Sequence, residues 1–347
     1  MLLLLSLLTL ATAQTLSDGP EASAEVSAPG GGATNEAANT PSEAEPQVEG
    51  EAESETEAEA TAPEAEGAEE AEEEEESGYP IRFEGQVTPE TAGHWDLEVL
   101  YNEGQYAEGL ELARARFDAD NSDAEAAWHI VRFMYELGET EKGIDKLAWY
   151  KSMVKVADTG LDHHPEDRHL RFARGVANGR YGTTRGVIAS LFLARSIEND
   201  WMMAADGSLV YASIGGSEQL PCDAWHALGI FYRLVPDWWI VKVIAGTRGD
   251  LDASLEWNEK ANDRCPNRVW NLKELGATEL CIADKRDDAA MLARGIAHLE
   301  EATRAPGKAG TAAIDRKHSQ MLIDDPSLAC EYSRDGQQDL DKKKLEQ

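Results

Sequence analysis

The sequence predicts an all-α fold: antiparallel helix pairs stacked as an irregular α-solenoid, preceded by a disordered acidic segment. Three observations carry this. Strand signals are nearly absent, and apolar residues recur at helical spacing between short Gly, Pro, Asn and Asp breaks. A pattern of tryptophan, leucine, glycine and tyrosine returns in step along the chain. Lys and Arg are missing altogether from Gln14 to Tyr79.

The chain begins MLLLLSLLTLATAQ. This apolar run is too short to span a bilayer, which takes about 20 residues. It ends in Ala11-Thr12-Ala13, so residues 1–13 read as a secretory signal peptide cut before Gln14. The expected location is therefore exported, periplasmic or extracellular. No Cys follows the run, so a lipid anchor is not expected. Residues 14–80 are Glu-rich among Ala, Ser, Thr, Gly and Pro. Such a segment lacks the large apolar side chains that offset ordering entropy, and it is expected to stay disordered. The net charge of −34 over 347 residues argues against nucleic acid, where binding depends on neutralising phosphates.

Residues 85–325 carry the helices, and residues 326–347 read as a tail. Helices are expected near 89–103, 106–118, 123–137, 141–162, 167–179 and 185–198. More are expected near 221–234, 238–245, 251–263, 268–283, 287–304 and 309–323. Residues 199–219 are rich in Gly and Ser and read as a surface loop. Trp225, Leu228, Gly229 and Tyr232 fall at i, i+3, i+4 and i+7, on one helical face. The Gly admits a close neighbour. In the following helix Leu255, Trp257 and Ala261 supply the opposing face, and Pro266 ends the unit. Leu272, Leu275 and Gly276 repeat the first-helix pattern, and Trp128 and Tyr135 stand at the same separation as Trp225 and Tyr232.

W-x-x-L-G-x-x-Y is the first-helix signature of a tetratricopeptide repeat. Trp225 to Pro266 exceeds the usual ~34 residues. The excess lies in RLVPDWWIVKVIAGTRGD, and a comparable insertion, TTRGVIASLFLARS, follows Gly182. Over residues 126–283 this layout resembles the tetratricopeptide-like family typified by the regulators of microtubule dynamics. There a Pro-Trp dipeptide and an amphipathic helix follow the first helix, as Asp237-Trp238-Trp239 and residues 240–244 do here. The resemblance implies a helical-repeat fold without catalytic activity. It does not carry over microtubule binding, for which no motif matches, and residues 199–219 have no counterpart. In architecture and compartment the chain also resembles the periplasmic repeat protein of TRAP-type transporters. Trp238, Trp239, Val241 and Ile244 are expected to cap the insertion onto the stack. A membrane-surface role for them is disfavoured, because Lys242 is the only nearby cation in sequence.

Chemistry signals are sparse. DHHPEDRH (162–169) offers His163, His164, His169, Asp162 and Asp167, but no metal-ligand spacing is matched; it reads as a polar turn with Asp167 as an N-cap. Ser190, Ser196 and Ser208 lack a nucleophile motif, and the glycines of GVANGRYG do not follow a strand, so neither a triad nor a phosphate cradle is expected. No metal, cofactor or covalent chemistry is expected. The even count of cysteines suits an oxidising compartment. Cys222 and Cys265 fall at neighbouring ends of one helix pair, and Cys281–Cys330 would pin the C-terminal tail.

The first helices should line the concave side, where His129, Arg132, His226, Ile230, Arg233, Trp270 and Lys273 are the candidate binding positions. Arg171, Arg174, Arg180 and Arg185 make a locally basic stretch. It reads either as a groove for a carboxylate-rich partner or as arginines paired with local acids. The expected function is a monomeric protein- or peptide-binding scaffold. The alternative is a small-ligand-binding accessory of a periplasmic transporter, with a pocket around Trp201, Trp238 and Trp239; an enclosed apolar pocket, as against an open groove, would favour it.

Overall fold

The computed structural model describes residue 81 and residues 85–334, apart from 187, 217 and 308–309. The signal peptide expected at 1–13, the acidic segment at 14–80 and the tail beyond 334 lie outside the described residues. Twelve α-helices and three very short strands make up the rest. α1 (Trp95–Glu103) and α2 (Tyr106–Ala119) precede four helix pairs. These are α3 (Ala124–Thr140) with α4 (Lys146–His163), and α5 (Arg168–Arg185) with α6 (Ala194–Ala204). Then α7 (Cys222–Leu234) pairs with α9 (Leu251–Arg264), and α10 (Val269–Arg286) with α11 (Ala289–Arg304). The short α8 (Trp239–Ala245) interrupts the third pair, and α12 (Thr311–Asp324) ends the stack.

Aspartates start the helices. Asp123, Asp145, Asp167, Asp250 and Asp288 each accept hydrogen bonds from the first-turn N–H groups of α3, α4, α5, α9 and α11. Each cap satisfies orphaned donors and places negative charge at the positive end of the helix dipole.

Small residues set the approach between helices. On α7, Trp225, Leu228 and Gly229 are buried against α9. A Cβ on Gly229 would stand 2.4 Å from the side chain of Asn258, so only Gly lets that amide lie there. The Trp225 indole N–H donates to Ala205 O at 2.8 Å, and Tyr232 donates to Glu198 at 2.6 Å. Ala261 is fully buried, while Trp257 is half-buried under Lys260. Leu272 and Leu275 are buried on α10. Gly276 of α10 faces Gly295 of α11, and a Cβ on either would meet the other's carbonyl oxygen at about 3 Å.

Four expectations need correction. Residues 199–219 are not a loop. Ile197 and Trp201 pack at i and i+4 against α5, with the indole lying over Gly175 and Gly179, so α6 runs to Ala204. Beyond it, β2 (Tyr211–Ala212) pairs parallel with β1 (Gly85–Gln86) and antiparallel with β3 (Glu218–Leu220). α1 starts at Trp95 and not at 89, because Thr88 and Thr91 close a turn and the Gly93 and His94 N–H groups donate to Glu125. Trp238, Trp239 and Ile244 do not cap the stack. A seven-residue helix has one narrow inward face, and α8 spends it on Val241 and Ala245. The body does not stop at 325 either: Pro326–Leu328 form a 3-10 turn, and Ala329 and Tyr332 are buried.

Disulfides join Cys222 to Cys265 and Cys281 to Cys330. The first ties the start of α7 to the end of α9 across the α8 insertion. The second ties α10 to the C-terminal arm.

Gly276→Ala should lower unfolding stability by about 1–3 kcal/mol, because Leu299 and the Gly295 backbone must retreat together. Denaturant titration checks this; an unchanged midpoint would show that the α10–α11 contact is looser than described.

Candidate functional site

A cavity of about 340 Å³ lies where the first helices converge. Residues of α3, α5, α7, α10 and α12 line it, together with Ser333 and Arg334 of the C-terminal arm. Among the concave-face candidates, Arg132, His226, Ile230, Arg233, Trp270 and Lys273 all line this space. His129 does not. It is fully buried inside α3's packing, stacked on Phe133, with Nε2 3.5 Å from Glu98 and 3.9 Å from Glu125. Burial, with Arg132 adding to it, holds the His129 imidazole well below its usual pKa. Position 129 was open to misreading because α3 has neighbours on nearly every side.

The Trp–Tyr spacing has different uses in α3 and α7. In α7 that face packs on α9. In α3, Trp128, Val131, Arg132 and Tyr135 follow i, i+3, i+4, i+7 and form a wall of the cavity. Trp128 is buried there, so Trp128 and Tyr135 belong to the site and not only to interhelix packing. The Arg132 guanidinium lies 3.8 Å over the Tyr101 ring and donates to Glu98 at 2.7 Å. Tyr211 also donates to Glu98, at 2.8 Å. Apolar wall comes from Phe172, Val176, Trp201 and Phe231. Of the tryptophans expected around a pocket, Trp201 lines the cavity, whereas Trp238 and Trp239 stand outside it.

One side of the cavity is a chain of buried charges. Arg180 of α5 pairs with Glu139 of α3. Arg334 reaches Glu139 at 3.2 Å, Tyr135 Oη at 2.7 Å and both oxygens of Asp315 at 2.7 and 2.9 Å. Lys273 Nζ sits 2.6 Å from Asp315 and 2.8 Å from Glu274. Arg233 completes the series, donating to Glu274 and to the carbonyls of Ala329 and Tyr332. Thus α5, α3, the C-terminal arm, α12, α10 and α7 are joined by alternating charges, and α12 is brought against α3. The stack closes on itself.

The charges hold one another ionised. Burial alone would raise Glu139 and Glu274, but Arg180 and Arg334 hold the first at about 2, and Lys273 and Arg233 do the same for the second. Burial of Asp315 is likewise outweighed by Arg334 and Lys273, which push its carboxyl far down. Lys273 is raised above its usual range, because Asp315 and Glu274 outweigh its desolvation. His226 faces the cavity, half-buried, and burial lowers it to about 4.

The basic stretch of α5 resolves into local pairs. Arg171 and Arg174 meet Asp200, Arg180 meets Glu139, and Arg185 lies over the Phe192 and Tyr181 rings. The three histidines of DHHPEDRH diverge: His163 is exposed, His164 Nε2 meets Ser122 O at 2.6 Å, and His169 is buried against Trp128 and Tyr211. Among the described residues no group of three His, Cys, Asp or Glu side chains is placed to hold a metal ion.

No protein-family model matches the chain, and no curated protein matches it. A solved structure titled "MamA RS-1 ArsTM double mutant" is similar at 16% identity, covering 60% of this chain and 90% of that one, with a TM-score of 0.35. A likeness that slight carries no argument, and the helical-repeat assignment rests on the geometry above.

Glu139, Asp315 and Arg334 were missed from sequence. A signal existed for Asp315: it shares a buried face with Ala312, Ser319 and Leu322 at helical spacing, where a lone carboxylate implies a buried cation.

Stability should depend on pH with a definite sign. Glu139 and Glu274 have folded pKa values of about 2 against an ordinary 4.5. Their contribution is therefore complete above about pH 4.5 and is lost as pH falls towards 2. Lys273 contributes fully below its ordinary 10.5 and loses that contribution as pH rises beyond it. Arg334→Met should cost about 3–5 kcal/mol at pH 7, since it leaves Glu139 and Asp315 each short of a cation. It should also flatten the acid limb. Denaturant midpoints measured from pH 2.5 to 9 check both effects.

Proposed function

We propose that this chain is an exported, non-enzymatic binding protein that receives a small ligand in the cavity ringed by its first helices. One observation carries the reading: Arg334 and α12 reach across the concave side, so what a stack of repeats would leave as a long open groove is narrowed to a half-open pocket of about 340 Å³. That volume sits near the lower end of small-molecule pockets. The wall offers aromatic and aliphatic surface with His226 and the edge of the charge chain as polar points. Most of the cavity's charged side chains are committed to opposite charges, and Glu136 accepts from the Tyr101 hydroxyl, which suits holding a shape better than driving a covalent reaction. No cofactor is part of this reading. Export is supported by the two disulfides, which persist in oxidising compartments. Among the described residues no helix is long and apolar enough to cross a membrane. A role as accessory to a periplasmic transporter fits such a carrier.

A second reading, the protein or peptide scaffold, is what the helical-repeat architecture alone supports. It would use the open side of the pocket or the outer surfaces.

Non-denaturing mass spectrometry of protein isolated from its native envelope separates them. The first reading expects a stoichiometric small molecule that is lost in Ile230→Trp, whose indole fills the cavity while the melting temperature stays within a few degrees. A copurifying protein or peptide that persists in Ile230→Trp, with no small ligand in the wild type, would establish the scaffold reading instead.

A further inference from the structure

Two insertions lengthen the repeats and are surplus to helix-pair stacking: residues 183–196, from the last turn of α5 into the start of α6, and residues 236–249 between α7 and α9. The fold sets them side by side. α8 packs against the 3-10 turn Ile188–Leu193, and the Arg195 stem runs 3.6 Å from where a Cβ on Gly246 would stand. Their outer face is apolar. Phe192, Trp238, Trp239, Val243 and Ile244 are each more than half exposed, Trp239 and Val243 by over 70%. They are the five most exposed large apolar side chains among the described residues.

The same face is cationic in a strongly acidic chain. The two insertions hold Arg185, Arg195, Lys242 and Arg248 against Asp237, with Asp250 and Glu198 at their borders, whereas the whole chain carries −34. Arg248 pairs with Asp237 at 3.3 Å and Arg195 with the buried Glu198 at 3.1 Å. Arg185 lies over the Phe192 ring, and Lys242 is exposed on the same short helix as Trp239 and Val243. Folding brings Arg185 and Arg195 of the first insertion to Lys242 and Arg248 of the second. Of these four, Arg195 and Arg248 are matched to a carboxylate among the described residues, and Arg185 and Lys242 are not.

We propose that this ridge docks the protein on an anionic lipid surface. A bilayer interface needs no complementary pocket, and the ridge stands proud: Trp238 and Trp239 line no part of the cavity. Indole rings favour the headgroup boundary, where the ring is apolar and the N–H stays wet. Cations beside them meet lipid phosphates, and an amphipathic segment with aromatics on one face and basic residues alongside adsorbs without spanning. Screening confines the repulsion from the acidic remainder to roughly 8–10 Å, so the basic ridge can approach while the other faces turn away. This surface is separate from the cavity reading and stands without it.

The test uses the full-length chain with sedimenting vesicles of phosphatidylcholine alone and of phosphatidylcholine and phosphatidylglycerol in equal parts. Binding is expected to the anionic vesicles, with a blue shift of tryptophan emission, and to weaken in high salt. The double variant Trp238→Ser, Trp239→Ser should reduce partitioning at least tenfold and abolish the shift. Lys242→Gln should reduce it about fivefold. These side chains are exposed, so unchanged helical circular dichroism and melting temperature will show the variants folded. Absence of wild-type binding to either vesicle overturns the proposal, as does anionic binding indifferent to the double variant. A protein partner or second copy lost from the double variant, with no vesicle binding by the wild type, assigns the ridge to protein contact and also overturns it.

Discussion

The alternating series Arg180, Glu139, Arg334, Asp315, Lys273, Glu274, Arg233 is the constraint on which the rest of the molecule depends. Helix pairs stack through nearest-neighbour contacts, and such contacts specify local spacing but not whether the two ends of a stack meet. Charges withdrawn from water must each find partners, and a missing member leaves its neighbours uncompensated. Because this series runs through α5, α3, the C-terminal arm, α12, α10 and α7, all of them must be in register at once. Desolvation consumes much of the Coulombic gain, so the series is better understood as specifying closure than as adding net stability. The cavity is the space left inside that closure.

The disulfides make the closure reachable. Arg334 lies four residues beyond Cys330, which is bonded to Cys281 of α10. A four-residue tether reaches at most about 14 Å, so the bridge restricts the space that Arg334 can search for Asp315 and Glu139. Cys222–Cys265 has the matching task on α7 and α9. It clamps the ends of a pair whose connection is lengthened by α8, so the insertion can carry its own surface without splaying the helices that flank it.

The architecture was legible because it depends on residues that act locally. Asp123, Asp145, Asp167, Asp250 and Asp288 announce helix starts, and Trp225, Leu228 and Gly229 announce a packed face in the sequence itself. The site was only partly legible. Arg132, His226, Ile230, Arg233, Trp270 and Lys273 follow from knowing which helices are inner. The spacing of Tyr135 suggests packing, because helical spacing tells which residues share a face, not what that face meets. Trp201 was hidden in a stretch whose glycines and serines suggest a loop; its place depends on Gly175, 26 residues earlier, leaving room for an indole. Arg334 could not be read at all: it looks like any cation in a polar tail until Asp315 and Glu139 are brought to it.

The insertions show how the cavity and the outer surface are related. A repeat stack needs only the ridges between its helices, so residues 183–196 and 236–249 are free of that demand. The inner side of the first supplies Ser190, Leu191 and Ala194 to the cavity wall, and Val235 lines it just before the second. Their outer side carries Phe192, Trp238, Trp239, Val243 and Ile244. In α8 the division is sharp, with Val241 and Ala245 inward and Lys242, Val243 and Ile244 outward. At the first insertion one thin layer therefore separates the cavity from the exposed Phe192, and α8 packs on the outside of that layer. Well-packed layers shift as units and do not bend smoothly, so whatever covers the ridge rests on the same elements that bound the cavity. The part of the sequence that departs most from the repeat is thus the part where the enclosed site and the outer surface share a wall.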